Sequence, residues 1–269
     1  MSRAATLAAG VLAAAGARVA QRVLTARVTS PRWVRTNHAG APVTLLEGPA
    51  YVAGAALGAA ASGPAGVVAA LGAGAFGALD DLSGDGASKG LRGHLGAAAH
   101  GRVTTGLVKI VGIGATGLVA AALADRGRDD VSALDTLVGG AVVAGAANLA
   151  NLLDLRPGRA LKATVIAAAP LLVAPGRPGA AQAAAATGAA LGVLAPDLAG
   201  TAMLGDTGAN AAGALVGSAL LARTGRRGRV VTLAVLTALT LASEKVSFTR
   251  VIESTPGLRE LDAWGRPTR

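Results

Sequence analysis

Residues 105–124 read TGLVKIVGIGATGLVAAALA, and Lys109 carries the single charge among them. An α-helix needs about 20 mostly apolar residues to cross the hydrocarbon core of a bilayer. This stretch therefore predicts a membrane-spanning helix. Lys109 lies several residues from its start, so the side chain can extend its ammonium to the nearer membrane interface.

The rest of the chain repeats this pattern. Of its 269 residues, 52% are hydrophobic and 15% are charged, whereas a soluble domain carries about 25% charged residues. Only 2% are aromatic but 39 are glycine, and small residues let helices pack closely in lipid. We predict an all-α, polytopic membrane bundle that forms one domain over residues 1–269. About nine spans are expected, at residues 4–20, 43–61, 63–80, 105–124, 131–153, 161–175, 180–199, 208–222 and 229–243.

The composition excludes several other classes of protein. Glycine has no three-residue period, which excludes collagen, and the long apolar runs exclude disorder. The lack of cysteine removes disulfides and thiolate chemistry. The net charge is +10, but the basic residues are scattered between apolar runs, so we expect no nucleic-acid partner. Two glycine pairs, Gly54 with Gly58 and Gly213 with Gly217, either bring helix backbones together or reflect the abundance of glycine.

The basic residues predict an orientation, because cytoplasmic loops of membrane proteins carry the excess of Lys and Arg. With the N-terminus outside, fifteen of the 25 basic residues fall in cytoplasmic loops and eight in external ones. A basic cluster at residues 223–229 is the exception, since it would lie outside. More basic residues follow the stretch 4–20 than precede it, which favours its retention over removal as a signal peptide. The C-terminal stretch 244–269 would be cytoplasmic and lie along the inner interface.

Acidic residues stand at helix ends that this orientation places on the cytoplasmic face. An Asp at the bilayer centre costs about 2.5 to 3.5 kcal/mol on insertion scales, so such residues suggest a function. Asp80 and Asp81 follow an apolar stretch. The helix dipole disfavours anions there, so they would take up protons or hold a cation. Asp206 precedes a helix whose free N–H groups favour an anion such as phosphate.

A third polar group is the row Asn148, Asn151 and Asp154, whose spacing puts the side chains on one helix face. Amides followed by a carboxylate suit a polar ligand with nitrogen and oxygen edges. Clustered carboxylates without cysteine or a suitable histidine group favour Mg²⁺, with Mn²⁺ as an alternative, and such a cation suits phosphoryl transfer. Lys89 and Arg92 either bind a phosphate or belong to the cytoplasmic excess of basic residues.

These motifs occur in the order found in a known family. The sequence resembles the polyprenyl-phosphate N-acetylhexosamine-1-phosphate transferases, glycosyltransferase family 4, which include the translocase that makes the first lipid intermediate of peptidoglycan. The resemblance implies a multi-pass enzyme of the bacterial inner membrane that transfers a sugar 1-phosphate from a UDP-sugar to polyprenyl phosphate and releases UMP. The matching motifs are Asp80-Asp81, Asn148-x-x-Asn151-x-x-Asp154 and Gly205-Asp206-Thr207-Gly208, with the loop stretches 89–95 and 101–106.

The resemblance also implies roles for individual residues. Asp80, Asp81 and Asp206 would be catalytic, with Mg²⁺ held by Asp206 and Asp81. The residues expected to contact the nucleotide are Asn148, Asn151 and Asp154, and those expected to hold phosphate are Lys89, Arg92, Gly205 and Gly208. Direct attack and a two-step route through an aspartyl intermediate both stay open, and a homodimer is one alternative for the assembly.

The sequence departs from the family after Asp154. The family continues Gly-x-Asp-Gly-Leu, whereas residues 155–159 read LRPGR, so a second acidic position is lost. Ala209 replaces a serine, Glu47-Gly48 replaces an early Gly-Gly, and the histidine-rich loop near the C-terminus is missing. A non-catalytic relative that binds polyprenyl phosphate or a lipid-linked intermediate is therefore the alternative. A proton-coupled transporter is disfavoured, because transporters place polar residues near the midplane rather than at one face.

Overall fold

In a computed structural model, which describes residues 2–37, 40–83 and 104–267, the described part of the chain is mainly α-helical, as predicted. Eleven α-helices lie within these ranges. They are α1 (Arg3–Arg27), α2 (Glu47–Ala60), α3 (Pro64–Ser83), α4 (Thr105–Ala124), α5 (Ala133–Leu153), α6 (Arg159–Leu172), α7 (Ala180–Leu198), α8 (Gly205–Arg223), α9 (Arg226–Ser243), α10 (Phe248–Ser254) and α11 (Leu258–Ala263).

Four helices, α1, α3, α4 and α5, are long and apolar enough to cross a membrane. The pair α9 and α10 adds a fifth span if the two are counted together, although a bend of 92° separates them. The other predicted stretches also form helices, but α2 and α6 have only 14 residues each, about 21 Å of helix. The described residues therefore contain four or five clear spans of a polytopic membrane protein.

Helix α8 lies at the centre of the bundle, and nearly all of its residues are buried. It packs against α3 and α5. Glycine allows close helix packing both between α8 and α5 and between α2 and α1. A Cβ at Gly213 would lie 2.1 Å from the carbonyl oxygen of Ala146 on α5, and a Cβ at Gly54 on α2 would lie 2.4 Å from the carbonyl oxygen of Ala13 on α1. Gly58 and Gly217 are similarly close to neighbouring helices. The close backbone approach predicted from the glycine pairs is confirmed.

Side-chain caps fix where α4 and α5 begin. The Thr104 hydroxyl accepts a hydrogen bond from the Leu107 N–H at 3.1 Å, at the start of α4. Ser132 and Asp135 form a reciprocal capping box at the start of α5, where each side chain accepts from the other residue's backbone N–H. Because α4 and α5 run in opposite directions across a short turn, these caps lie at opposite ends of the bundle.

A short antiparallel hairpin lies between α1 and α2, where β1 (Val34–Thr36) pairs with β2 (Pro42–Thr44). Thr44 also joins the segment before α8, because its carbonyl oxygen accepts from the Met203 N–H at 2.9 Å. These strands were not predicted from the sequence, since three residues are too few for a period-two pattern to be recognised. The hairpin brings Arg35 to the N-terminal end of α8.

The C-terminal end of α4 carries a matched set of charges that we call the Arg229 cluster: Asp125, Asp135, Arg226 and Arg229. The Arg229 guanidinium is 1% exposed. It donates to both oxygens of Asp125, at 2.7 and 2.5 Å, and to the Asp135 carbonyl oxygen at 3.0 Å. Arg226 pairs with the Asp135 carboxylate at 3.1 Å. Two basic residues that oppose the predicted orientation are thus neutralised by acidic partners.

Candidate functional site

The predicted acidic residues meet at the opposite end of the bundle. Lys109 marks this end, since it precedes Asp125 on α4 by sixteen residues, or roughly 24 Å of helix. A cavity of about 570 Å³ opens there between α3, α5, α8 and the hairpin. We call it the acidic cavity. Its lining includes Arg35, Asp80, Asp81, Asn151, Asp154, Gly205 and Asp206. Residues from all three predicted motifs therefore line one cavity.

Asp81 joins the end of α3 to the start of α8. Its Oδ1 accepts from the Asp206 N–H at 3.1 Å, and its Oδ2 accepts from the Thr207 N–H at 2.8 Å and the Thr207 hydroxyl at 2.6 Å. The first N–H groups of a helix have no partner within the helix, and the positive end of the helix dipole favours a carboxylate there. Asp81 thus caps α8 from another helix, which holds Asp206 in place.

The two glycines predicted to hold phosphate have structural positions beside this cap. Gly205 has φ +62°, and a Cβ there would lie 3.0 Å from Asp81 Oδ2. Gly208 faces α2, where a Cβ would lie 2.9 Å from the Gly48 Cα. Gly205 lines the acidic cavity, and Gly208 allows α2 and α8 to pack closely. Phosphate binding by either residue stays a prediction.

Lys109 completes the site, although its position in the sequence predicted only that its side chain reaches the membrane interface. Its ammonium forms an ion pair with Asp206 and lies 3.5 Å from Asp80 Oδ2. All three side chains are more than half buried, with exposed fractions of 14% for Lys109, 25% for Asp206 and 24% for Asp80. The signal available in the sequence was a lysine in the first two turns of a helix that starts at the acidic end.

The two asparagines of the predicted polar row lie in different environments. Asn151, with its amide oriented to suit both neighbours, donates to Asp206 Oδ1 at 2.6 Å and accepts from the Lys109 ammonium at 3.2 Å. Asn148 instead donates to the Thr240 hydroxyl of α9 at 3.1 Å, and it is not among the residues that line the acidic cavity. Asn151 therefore belongs to the charged network, whereas contact between Asn148 and a nucleotide stays a prediction.

Asp154 follows the last residue of α5 and lines both the acidic cavity and a second, adjoining cavity of about 250 Å³. Burial raises the pKa of the Asp154 carboxyl well above its ordinary value, and the negative charges of Asp197 and Asp206 raise it further, against a hydrogen bond from the Gly205 N–H. The smaller cavity also contains Asp197, Arg156 and Asn37. The two adjoining cavities thus share the Asp154 carboxyl group, whose charged form is disfavoured.

Two further carboxyl groups, those of Asp197 and Glu47, lie near Asp154 at the ends of their helices. Asp197 on α7 is 3% exposed, and its Oδ2 accepts from the Gly158 N–H at 3.0 Å. Glu47 at the start of α2 is fully buried, and neither carboxylate oxygen has a hydrogen-bond partner among the described residues. Burial of this kind is not visible in a sequence, because it depends on which helices surround the residue.

The C-terminal tail holds the segment that follows Asp154. Arg159, 4% exposed, donates to both oxygens of Asp262 at 2.7 and 3.0 Å. The Lys162 ammonium donates to the carbonyl oxygens of Leu261 and Trp264 at 3.0 and 3.1 Å. The stretch 244–269, which contains these partners, was predicted to lie along the membrane interface. In the structure α11 also packs onto the start of α6, beside the site.

Several predicted residues lie outside the part of the chain that the structure describes. Lys89 and Arg92, the expected phosphate-binding side chains, are among them. Their predicted role is unchanged. Within the described residues, Arg35 is a basic residue that lines the acidic cavity, and it donates to the Asp81 carbonyl oxygen.

The oxygen atoms around Lys109 show whether the site fits the expected Mg²⁺. Within residues 2–37, 40–83 and 104–267, no group of three or more His, Cys, Asp or Glu side chains could hold a metal ion. Mg²⁺ at phosphoryl-transfer sites, however, needs only one or two carboxylates, because substrate phosphates and water supply its other ligands. The Lys109 ammonium already lies among carboxylate and amide oxygens of Asp80, Asn151 and Asp206. These residues therefore fit a hard cation.

The chain was compared with known proteins. No model of a protein family matches it, and no curated protein matches it.

Proposed function

We propose that this protein is a Mg²⁺-dependent phosphoglycosyl transferase similar to the polyprenyl-phosphate N-acetylhexosamine-1-phosphate transferases. It would transfer a sugar 1-phosphate from a UDP-sugar to polyprenyl phosphate, release UMP, and serve cell-wall or surface-glycan synthesis. One observation carries the proposal. Asp81, Asn151 and Asp206, from three distant parts of the chain, line one cavity, and Lys109 pairs with Asp206 beside it.

The overall reaction fits a site with this charge. An oxygen of the lipid phosphate becomes bonded to the sugar-bearing phosphorus of the donor, and the bond from that phosphorus to the bridging oxygen of UMP breaks. Bound Mg²⁺, held by Asp206 with Asp80 or Asp81, would neutralise charge on the diphosphate. Lys109 and Arg35 would attract the phosphates, since charge-assisted hydrogen bonds to basic side chains are strong.

The adjoining cavity supports a ligand with two parts. It shares Asp154 with the acidic cavity, and it is lined by acceptor and donor side chains of Asp197, Arg156 and Asn37. A nucleotide sugar has a charged diphosphate and polar ends with both donors and acceptors. We assign the diphosphate to the acidic cavity and the nucleoside to the smaller one, where Asp154 would contact it.

The proposed orientation puts the site at the inner face of a bacterial cell membrane. We propose nine spans with the N-terminus outside and the C-terminus in the cytoplasm. The distribution of Lys and Arg supports this orientation. The basic residues that oppose it gain acidic partners in the Arg229 cluster, which reduces their weight as an orientation signal.

The proposal is tested by measuring UMP release in membranes that contain the protein, Mg²⁺, polyprenyl phosphate and a panel of UDP-sugars. We expect release with at least one donor, and a loss of about 10³-fold or more in Asp206→Ala. Asp129→Ala, an exposed aspartate at the other end of the bundle, is the matched control and should keep full activity. Equal rates in wild type and Asp206→Ala would reject the proposal.

The second candidate is a non-catalytic protein that binds polyprenyl phosphate or a lipid-linked intermediate. The observation favouring it is the altered segment after Asp154, where Arg156 pairs with Glu253 of the tail at 3.0 Å instead of offering a second acidic position. Binding of polyprenyl phosphate without release of UMP from any donor would support this candidate. Turnover that is lost in Asp80→Asn would exclude it.

A further inference from the structure

Lys109 occupies the position in the site that a metal ion would need. Its ammonium contacts Asp206, lies 3.5 Å from Asp80 Oδ2 and donates to the Asn151 amide oxygen at 3.2 Å. Carboxylate and amide oxygens are ligands that a hard divalent cation prefers. Partly buried carboxylates without a nearby positive charge are strongly disfavoured, because desolvation is not compensated. The lysine therefore supplies the positive charge that the Asp80–Asp206 pair requires.

The carboxylates and the ammonium differ in their freedom to move. Asp206 is held at the start of α8, because Asp81 accepts from its backbone N–H. Asn151 lies in the last turn of α5. The Lys109 ammonium, in contrast, ends a flexible four-carbon chain that rotates readily. A divalent cation that arrives at these oxygens would meet fixed ligands and a movable positive charge.

We infer that the Lys109 ammonium is the counter-ion of this site when no metal is bound, and that a divalent cation competes with it for the oxygens of Asp206 and Asp80. Binding of the cation displaces the ammonium toward the acidic cavity, where the substrate phosphates are proposed to bind. This inference rests on the proposed function only for that last step. The competition itself requires neither a nucleotide sugar nor a lipid.

The experiment measures Mn²⁺ binding to the purified full-length protein in detergent, by electron paramagnetic resonance of free Mn²⁺ and without substrate. Removal of the competing charge in Lys109→Met should tighten Mn²⁺ binding by about tenfold. Lys109→Arg keeps the charge and is the matched control, so its affinity should stay within about threefold of wild type. Asp206→Asn should weaken Mn²⁺ binding in both the wild-type and the Lys109→Met background.

Thermal unfolding gives a second measurement. Without Mn²⁺, Lys109→Met should unfold at a lower temperature than wild type, because Asp80 and Asp206 repel each other. Mn²⁺ should then raise the unfolding temperature more in the variant than in wild type. If Lys109→Met is obtained only in the presence of Mn²⁺ and unfolds when a chelator is added, that result also supports the competition.

Two results would overturn the inference. One is Mn²⁺ affinity in Lys109→Met that is equal to or weaker than wild type, and the other is an equal gain in Lys109→Met and Lys109→Arg. Either result leaves the transferase proposal standing, because UMP release is measured separately. Conversely, a protein that releases no UMP but binds Mn²⁺ more tightly in Lys109→Met would reject the transferase and keep the competition.

Discussion

The two ends of the bundle differ in how completely their charged residues are paired. In the Arg229 cluster each basic group has an acidic partner, and Arg229 is 1% exposed. At the acidic cavity Asp80 and Asp206 share Lys109 as their ammonium partner, whereas Asp81 accepts from backbone N–H groups of α8, and an open space of about 570 Å³ lies beside them. A matched and closed cluster holds helices together. An excess of one charge beside an open cavity costs stability and is typical of a binding site.

The largest expected effect follows from breaking the matched cluster. Asp125→Ala would leave Arg229 buried without its partner, and we expect a loss of about 3 to 5 kcal/mol in the free energy of unfolding. The measurement is unfolding in detergent micelles, by heat and by denaturant. Asp206→Asn should cost much less, since its partner Lys109 has a flexible chain and lies beside an open cavity.

The control for this prediction replaces both partners. The double variant Asp125→Leu with Arg229→Met removes the buried charge together with its counter-ion, so most of the lost stability should return. A cost for Asp206→Asn as large as that of Asp125→Ala would contradict the distinction between the two ends.

A smaller effect is expected where the backbone shapes the acidic end. Gly205 has φ +62°, and its missing Cβ leaves room for Asp81, so Gly205→Ala should cost about 2 kcal/mol through the left-handed backbone and the displaced cap. Thermal unfolding measures this cost, and UMP release should fall with it because Asp206 moves. Gly114→Ala, in the open middle of α4, is the matched control and should be neutral or slightly stabilising. Equal unfolding temperatures for the two variants would contradict the prediction.

The smallest effects concern pH, and they have opposite signs at the two ends. Burial alone would raise the pKa of Asp125, but hydrogen bonds from Arg229 and Thr136 and the nearby positive charges lower it. Its contribution to stability is therefore present above the unfolded value of about 3.9 and is lost as pH falls further. Asp154 has a raised pKa, so its contribution is present below about pH 4 and is lost as pH rises.

Replacing Asp154 tests the predicted loss of stability at the acidic end as pH rises. Asp154→Asn should unfold at a higher temperature than wild type at neutral pH, because the variant lacks a carboxyl group whose charged form is disfavoured by burial. The gap between variant and wild type should close between pH 7 and pH 4, as measured by thermal unfolding. Asp129→Asn is the control, because the residue is exposed. Parallel curves for wild type and Asp154→Asn across this range would contradict the raised pKa.

Much of the fold could be predicted from apolar runs, because a helix in lipid must be apolar along its whole length. The stretches 105–124 and 131–153 correspond closely to α4 and α5. The stretch 180–199 also corresponds closely to α7, whereas the stretch 208–222 begins three residues after the start of α8. The hairpin of Val34–Thr36 with Pro42–Thr44 was missed, because three-residue strands carry no readable period.

The site was predictable in part. Helix ends and orientation were enough to bring Asp80, Asp81 and Asp206 to one face, and the structure places them at one cavity. The sequence could not pair Lys109 with Asp80 and Asp206, because the reach of a long side chain depends on the neighbouring helices. For the same reason the sequence could not show that Asn148 contacts Thr240 whereas Asn151, three residues later, contacts Asp206.

The close packing of α8 has a consequence for how the bundle is ordered. Alanine and glycine have no side-chain rotamers to lose, so assembling a core such as the Gly213–Ala146 contact costs little side-chain entropy, although glycine gives up more backbone freedom than other residues. Such a core also has few ways to rearrange, since no long side chain can rotate to fill a gap. Helix α8 is therefore expected to move as a rigid unit, and any rearrangement on ligand binding should be confined to long side chains and loops at its ends.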